Sequence, residues 1–379
     1  MRGRWLDLQR YAVWGLGRSG IAAANLLAAR GKQVLATDPG KKERPGELDP
    51  RAMFAAGPNT VGEAEVVIAS PGLAPSSAVF RGLKVPVVSE IELAWSACAT
   101  PVLGITGTDG KTTTTELTAH ILAHNGRKVV AAGNIGVPLT AVIDGDLDVI
   151  VAEVSAFQLW STHDFRVDAA AITNIAADHL DYFDSWDEYV AAKRILLANC
   201  GSDDWGVFNW DDPTVREWGR EFGGCRALVS TAGRPQGEAD LRLWLEPENG
   251  ILWADRGSDS QLRFLSVPAL EASGLRGLHN VANVLMAAAL VATRGVGLDT
   301  IGPALADFEV SPHRVQLVRT FDDVRYYDDS KATNANAALA GIRSLKGRLV
   351  VIAGGVDKQI ALDELAAVLE TRARTIVLI

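Results

Sequence analysis

The stretch GITGTDGKTTTT, residues 104–115, follows the apolar run VLGIT and precedes residues with helical spacing. Three glycines (Gly104, Gly107, Gly110), one lysine (Lys111) and four threonines together dictate a strand, a tight bend and a helix start. Backbone N–H groups in such a bend point at a common centre, and the helix N-terminus adds further donors, so the natural occupant is a phosphate. In a loop of this kind Lys111 neutralises the β- and γ-phosphate oxygens and Thr112 reaches a divalent cation. The usual pattern places a glycine where Ile105 stands; here the glycines are Gly104 and Gly107, so the loop is a variant.

Strand and helix patterns alternate on both sides of this loop. Upstream, YAVWGLGRSGIAAANLLAARGKQVLATD reads as a βαβ unit. Gly15-x-Gly17-x-x-Gly20 lies at its turn and Asp38 at the end of its second strand. That arrangement suits a pyrophosphate, and taken alone it predicts a dinucleotide. The apolar runs VVIASPGL and VPVVS complete a small parallel-sheet domain over residues 1–98. Downstream, Leu117, Ile121 and Leu122 recur at helical spacing and Gly126 ends that helix. LDVIVAEVSAFQL, VDAAAITNIAADHLDYF and the helical WDEYVAAKRILLANC continue the alternation. Residues 226–268 read as a peripheral β insertion, and GLRGLHNVANVLMAAALVATRGV returns to helix. A central domain is expected over 99–310 and a third α/β unit over 311–379, the class being α/β throughout.

Three cysteines in 379 residues, none in a CxxC pair, exclude a disulfide frame and a cysteine zinc site and fit a reducing compartment. A net charge of −9 argues against nucleic acid as a partner. The N-terminal MRGRWLDLQR has no apolar core of a signal peptide, and no apolar run reaches membrane-spanning length, so a cytoplasmic protein without membrane insertion is expected.

The spacing TGTDGKTTTT closely resembles the ATP loop of the Mur ligases and folylpolyglutamate synthetases. Further strings follow in that superfamily's order: GNIG, EVSAFQL, NIAADHLDYF, AAKRIL, GLHNVAN, SPHR, DDSKATN and AGGVDK. The resemblance spans essentially the whole chain. DSKATN and the GxGxxG first domain are typical of the D-glutamate-adding branch. The fold implied is an N-terminal Rossmann-like domain, a central P-loop ATPase-like domain and a C-terminal Rossmann-like domain. The last of these is expected to be incomplete, since the chain stops at ARTIVLI where relatives continue.

The resemblance also implies a chemistry: ATP-driven amide synthesis through an acyl phosphate, with UDP-N-acetylmuramoyl-L-alanine, D-glutamate and ATP as small-molecule substrates. ATP would be held by Gly107, Thr108, Asp109, Gly110, Lys111, Thr112, Thr113, Asn280, Asn283, Arg314 and Asp329. The UDP substrate would meet Arg18, Ser19, Asp38, Asn134, Ser155, Gln158 and His179, and D-glutamate would meet Thr333 and Lys358. Two Mg²⁺ ions are expected, with Thr112, Glu153, His179 and Lys193 as ligands, Lys193 as its CO₂-derived carbamate. Lys111, His179, Lys193 and Lys331 would be catalytic. Individually these residues are mute: Glu153 reads as a strand-end acid, His179 as a surface histidine, the asparagines as packing and Lys193 as a solvated helix lysine. Ala156 stands where the family has a second serine. A monomer is expected. The alternatives are a superfamily ligase for another amino acid, a non-catalytic nucleotide-binding protein, or, from the first domain alone, an NAD-dependent oxidoreductase.

Overall fold

The computed structural model describes residues 3–178, 182–257, 261–355 and 362–379. Two parallel sheets carry most of the chain. The first contains β1 (Arg10–Trp14), β2 (Gln33–Asp38), β3 (Met53–Ala56), β4 (Val66–Ala69) and β5 (Val87–Ser89), in the spatial order β3-β2-β1-β4-β5. Helix α1 (Arg18–Ala29) connects β1 to β2, and α2 (Glu90–Ala97) follows β5. Strand order reverses between β1 and β4, which opens a crevice at their carboxyl ends. The glycine turn sits there. A Cβ on Gly20 would lie 1.8 Å from the Gly15 carbonyl oxygen, and one on Gly15 (φ +85°) would lie 2.6 Å from Ser70 Cβ. Sequence reading found four of the five strands; β3, only four residues long and not fully buried, carries too weak a signal.

The second sheet has nine strands. Within it β6 (Val102–Thr106) is flanked by β8 (Val149–Glu153) and β9 (Ala169–Ile172), with β7 (Val129–Gly133) at one edge. Every β6 and β8 residue is buried, as a central parallel strand requires. Helix α3 (Lys111–His124) starts at the phosphate loop, where Gly110, at φ +82°, forms the entry that a side chain would strain. Helix α4 (Ala156–Leu159) lies between β8 and β9 in sequence, and α5 (Trp186–Arg194) follows β9. Strand β10 (Trp205–Asn209), α6 (Pro213–Glu221) and β11 (Cys225–Ser230) then continue the sheet.

The expected peripheral insertion over 226–268 is instead the far side of this sheet. β11 and β12 (Leu241–Glu246) pair in parallel, and β13 (Ile251–Asp255) and β14 (Leu262–Ser266) extend the sheet antiparallel. The alternating LRLWLEPENGILWA looks like a free-standing hairpin. Its apolar residues nevertheless face the common core under α7 (Val267–Ala272) and α8 (Leu278–Thr293). From Val281 to Ala292, α8 is buried except at one position, because it lies across β10, β11 and β12. Helix α9 (Ile301–Leu305) closes this unit.

Two acids on α2 tie the sheets together. Glu92 Oε1 accepts from the Trp5 indole (2.7 Å) and Asp164 N (3.0 Å), and Oε2 from His163 N and Phe165 N (both 2.9 Å). Glu90 Oε1 accepts from Thr140 N and Oγ1, each at 2.6 Å, and burial raises its pKa. Glu92→Gln puts an amide donor against these N–H groups and is expected to destabilise by about 2 kcal/mol, since an unsatisfied buried donor costs ~1–3 kcal/mol. Urea unfolding measures this; a midpoint equal to wild type would show that Glu92 does not weld the two units.

The third unit has two small sheets. β15 (Gln316–Phe321) and β16 (Val324–Asp328) form an antiparallel hairpin. Its two-residue turn, Asp322–Asp323, takes positive φ at both positions, the turn whose twist matches a hairpin. Helix α10 (Ala335–Ser344) leads to β17 (Leu349–Ala353), and α11 (Asp363–Arg372) crosses over to β18 (Ala373–Leu378), which pairs with β17 in parallel.

Candidate active site

The topology converges on the carboxyl end of β6. Its two neighbours place Glu153 and the segment 173–178 on either side of the phosphate loop. The loop is anchored by β9's continuation. Thr108 N donates to Asn174 O (2.8 Å), Asp109 N to Asn174 Oδ1 (2.9 Å), and Thr173 Oγ1 to Asp109 O (2.6 Å). A Cβ on Gly107 (φ +145°) would lie 1.9 Å from Thr173 Oγ1, so this position requires glycine.

Two of the four predicted lysines meet here. Lys111 Nζ donates to the carbonyls of Gly107 (3.0 Å) and Thr108 (2.7 Å), and Lys193 Nζ donates to the same Gly107 carbonyl at 2.5 Å. Lys193 is 2% exposed, so the sequence reading of a solvated helix lysine is excluded. Its ammonium also lies 4.6 Å from the centre of the Tyr189 ring. Burial first, and then the Lys111 charge, holds the Lys193 pKa well below the ordinary lysine range. Burial also lowers that of Lys111, against the opposing pull of Glu153, Asp109 and Asp178. Two lysine amines on one carbonyl, that of Lys193 fully buried, form a centre built for crowded anionic oxygens.

Glu153 is 1% exposed. Its Oε1 accepts from Asn134 Nδ2 at 2.7 Å, and its Oε2 has no hydrogen-bond partner among the described residues. An orphaned carboxylate oxygen beside a phosphate loop is suited to a hard cation. The described residues contain no cluster of three acidic, histidine or cysteine side chains positioned to hold a metal. Thr112 lies half-buried in the first turn of α3, and Thr113 is buried.

The Asn134–Glu153 pair joins this centre to a cleft lined by Arg18, Ser19, Gly133, Asn134, Gly136 and Gln158, so four of the predicted UDP-substrate residues share one opening. Arg18 Nη1 donates to Gly136 O (3.0 Å) across it. Ser155 lies behind, its hydroxyl donating to Gln158 Oε1 (3.0 Å). Asp38 buttresses the glycine turn, accepting from Leu16 N (2.7 Å) and Gly40 N (2.8 Å).

Asn283 Nδ2 donates to Asn280 Oδ1 (3.3 Å), and Asn283 Oδ1 accepts from Thr114 Oγ1 (3.4 Å). A Cβ on Gly110 would lie 2.3 Å from that same Asn283 oxygen, so Asn283 abuts the phosphate loop, with Asn280 behind it. Arg314 Nε is buried with no partner among the described residues. Its neighbour Val315 has φ +47°, strained for a β-branched residue, and is held by Asp329 Oδ1 accepting its N–H (3.0 Å). Lys331 and Thr333 are exposed. His179 and Lys358 lie outside the described residues.

Three contributors escaped sequence reading. Tyr189 OH and Thr108 Oγ1 lie 3.0 Å apart. Asp178 is 4% exposed. Asn334 reaches both Asp109 and Asp178. Asp178 and Asn334 sit inside strings already singled out, ADHLD and DSKATN; what was missing was the knowledge that these two strings touch.

Known proteins match this architecture. The Mur ligase middle-domain model covers residues 105–291. A UDP-N-acetylmuramoylalanine–D-glutamate ligase from Symbiobacterium thermophilum is 34% identical across 98% of this chain and 82% of its own. Its counterpart from Methylobacillus flagellatus is 38% identical across 97% and 81%. Among solved structures, a pseudomurein peptide ligase type C from Methanothermus fervidus shares the fold at TM-score 0.58 and 20% identity, over 98% of this chain and 88% of that one.

Proposed function

Because this chain belongs to the Mur ligase family, in its D-glutamate-adding branch, we infer that it joins D-glutamate to UDP-N-acetylmuramoyl-L-alanine using ATP. This is a step of peptidoglycan precursor synthesis. The observation that carries the reading is the convergence of Lys111, Lys193 and the orphaned Glu153 oxygen on one phosphate loop. A carboxylate is a poor electrophile. Phosphorylating it gives an acyl phosphate, from which an amine displaces phosphate, and the protein's task is to position the groups and neutralise charge.

Lys111 holds the β- and γ-phosphate oxygens over the loop's N–H groups. Thr112 and Glu153 would hold Mg²⁺, which would supply positive charge to offset that of the phosphates. His179 is proposed as a further ligand beside the substrate, and Lys193, as its carbamate, as an anionic oxygen donor to a second ion. Asn280, Asn283, Arg314 and Asp329 hold the nucleotide, and Arg18, Ser19, Asn134, Ser155 and Gln158 the UDP substrate. Lys331 acts near the acyl phosphate, and Thr333 and Lys358 near D-glutamate. Residues 1–98, 99–310 and 311–379 are assigned to UDP-substrate, ATP and amino acid respectively. No helix among the described residues is long and apolar enough to cross a membrane; we place the enzyme in the cytoplasm, as a monomer.

Ligand-induced stabilisation tests the substrate assignment. At a concentration of 100 Kd a ligand stabilises by about 2.7 kcal/mol, so UDP-N-acetylmuramoyl-L-alanine and ATP–Mg²⁺ should each raise Tm and NAD should not. A rise with NAD alone would overturn the reading.

Asp38 is assigned to the UDP end of the substrate and to no part of ATP. Asp38→Ala is expected to raise KM for the UDP substrate about tenfold or more, a charge-assisted hydrogen bond being worth ~1.5–3 kcal/mol. The KM for ATP should stay near wild type; a shift in ATP KM alone would contradict the assignment.

A further inference from the structure

Asn334, at the start of α10 in the third unit, reaches the phosphate loop. Asn334 Nδ2 donates to Asp109 Oδ1 (3.0 Å) in the loop and to Asp178 Oδ2 (3.2 Å) in the segment beyond β9. Its Oδ1 accepts from Ala337 N (2.8 Å) and so caps α10. These contacts satisfy the whole carboxamide: each N–H has a carboxylate and the carbonyl has a backbone donor. The amide's orientation follows, since turning it over would set its oxygen against two carboxylates.

Asp109 belongs to the phosphate loop itself, two residues before Lys111, and Asp178 to the segment that anchors that loop. The two N–H groups of a neutral amide offset part of the repulsion between the two carboxylates they bridge.

We propose that Asn334 is a positioning residue that docks the third unit on the phosphate loop by holding Asp109 and Asp178 together, so that the loop takes this arrangement only when that unit is in place. Seating of the amino-acid-binding unit is thereby coupled to readiness for phosphoryl transfer. This role rests on the ligase reading for the step that docking serves, whereas docking itself is measurable without turnover.

Two variants separate bridging from capping, because serine and aspartate cap helices about as well as asparagine. Asn334→Ser keeps the cap and loses the double donor. Asn334→Asp keeps the cap and places a third carboxylate against two others. The full-length enzyme carries a dye pair on exposed Arg263 and Glu370, and a non-hydrolysable ATP analogue with Mg²⁺ is the probe. Both variants should keep the wild-type Tm yet show a smaller docked fraction. Turnover should fall about tenfold in Asn334→Ser and about a hundredfold in Asn334→Asp, within the ~5–150-fold range of intersite coupling. Asp109→Asn added to Asn334→Asp restores an amide–carboxylate pair and should recover about tenfold over Asn334→Asp alone. Wild-type docking in both variants would overturn the proposal. So would losses that track a fall in Tm with the dye distance unchanged, which would mark Asn334 as a helix cap only. Failure of the wild type to use D-glutamate would instead sink the ligase reading, while the dye measurement would still decide the role of Asn334.

Discussion

Lys111→Ala is expected to lower kcat/KM by about 10³-fold or more with the fold intact. A single preorganised donor to developing negative charge is worth ~10²–10³ in rate, and a cation at a transferring phosphoryl group ~10³–10⁵. The ammonium of Lys111 rests on the Gly107 and Thr108 carbonyls at the start of α3, where it meets the phosphates directly. The fold does not depend on it. A lysine whose pKa is lowered on folding binds its proton more tightly in the unfolded chain, so its charge works against stability. The sign is definite: stability rises with pH between the depressed folded pKa and the ordinary value near 10.4, because the unfolded state holds more protons across that window. Lys111→Ala should flatten that rise. Phosphate release and thermal melts across pH check both parts. A variant with wild-type turnover would remove the phosphate loop from the reaction.

Lys193→Ala is expected to lose activity by about 10²-fold or more while keeping most ATP binding. Lys193 does not lie in the loop; it approaches the Gly107 carbonyl from α5, at 2% exposure. Carbamylation joins the free amine to CO₂, with loss of one proton, and needs the neutral amine that burial and the Lys111 charge favour. The product is an anionic oxygen ligand where an ammonium stood, near the cation that Glu153 is placed to hold. Degassed, bicarbonate-free enzyme should therefore lose activity and regain it with bicarbonate. A crystal with Mg²⁺ and UDP substrate at neutral pH should show density beyond Nζ. A bare ammonium there, or a fully active Lys193→Ala enzyme, would exclude the carbamate and leave the ligase activity standing.

The parts of the site legible in sequence were those encoded by local spacing. Gly107, Gly110 and Lys111 announce their bend within five residues, because the turn and helix start are short-range geometry. The GxGxxG turn was equally plain, yet its physics does not separate a dinucleotide from a UDP-sugar, both of which present a pyrophosphate. What stayed hidden was set by tertiary contact. Lys193 looks solvated until α5 packs against the loop, and Glu92 looks like a helix first-turn acid until four donors from distant segments meet it. β12 and β13 read as a separate hairpin until α8 covers them. Asn334 lies 225 residues from Asp109, and no local pattern records that the two touch.

Phosphate release tests the central claim most directly. With ATP, Mg²⁺ and UDP-N-acetylmuramoyl-L-alanine present, the enzyme should release phosphate when D-glutamate is added and stay near background with L-glutamate or L-alanine. The UDP product should gain one glutamyl residue per phosphate released. No release with D-glutamate, or equal release with L-alanine, would contradict the assignment of this chain as a D-glutamate-adding ligase.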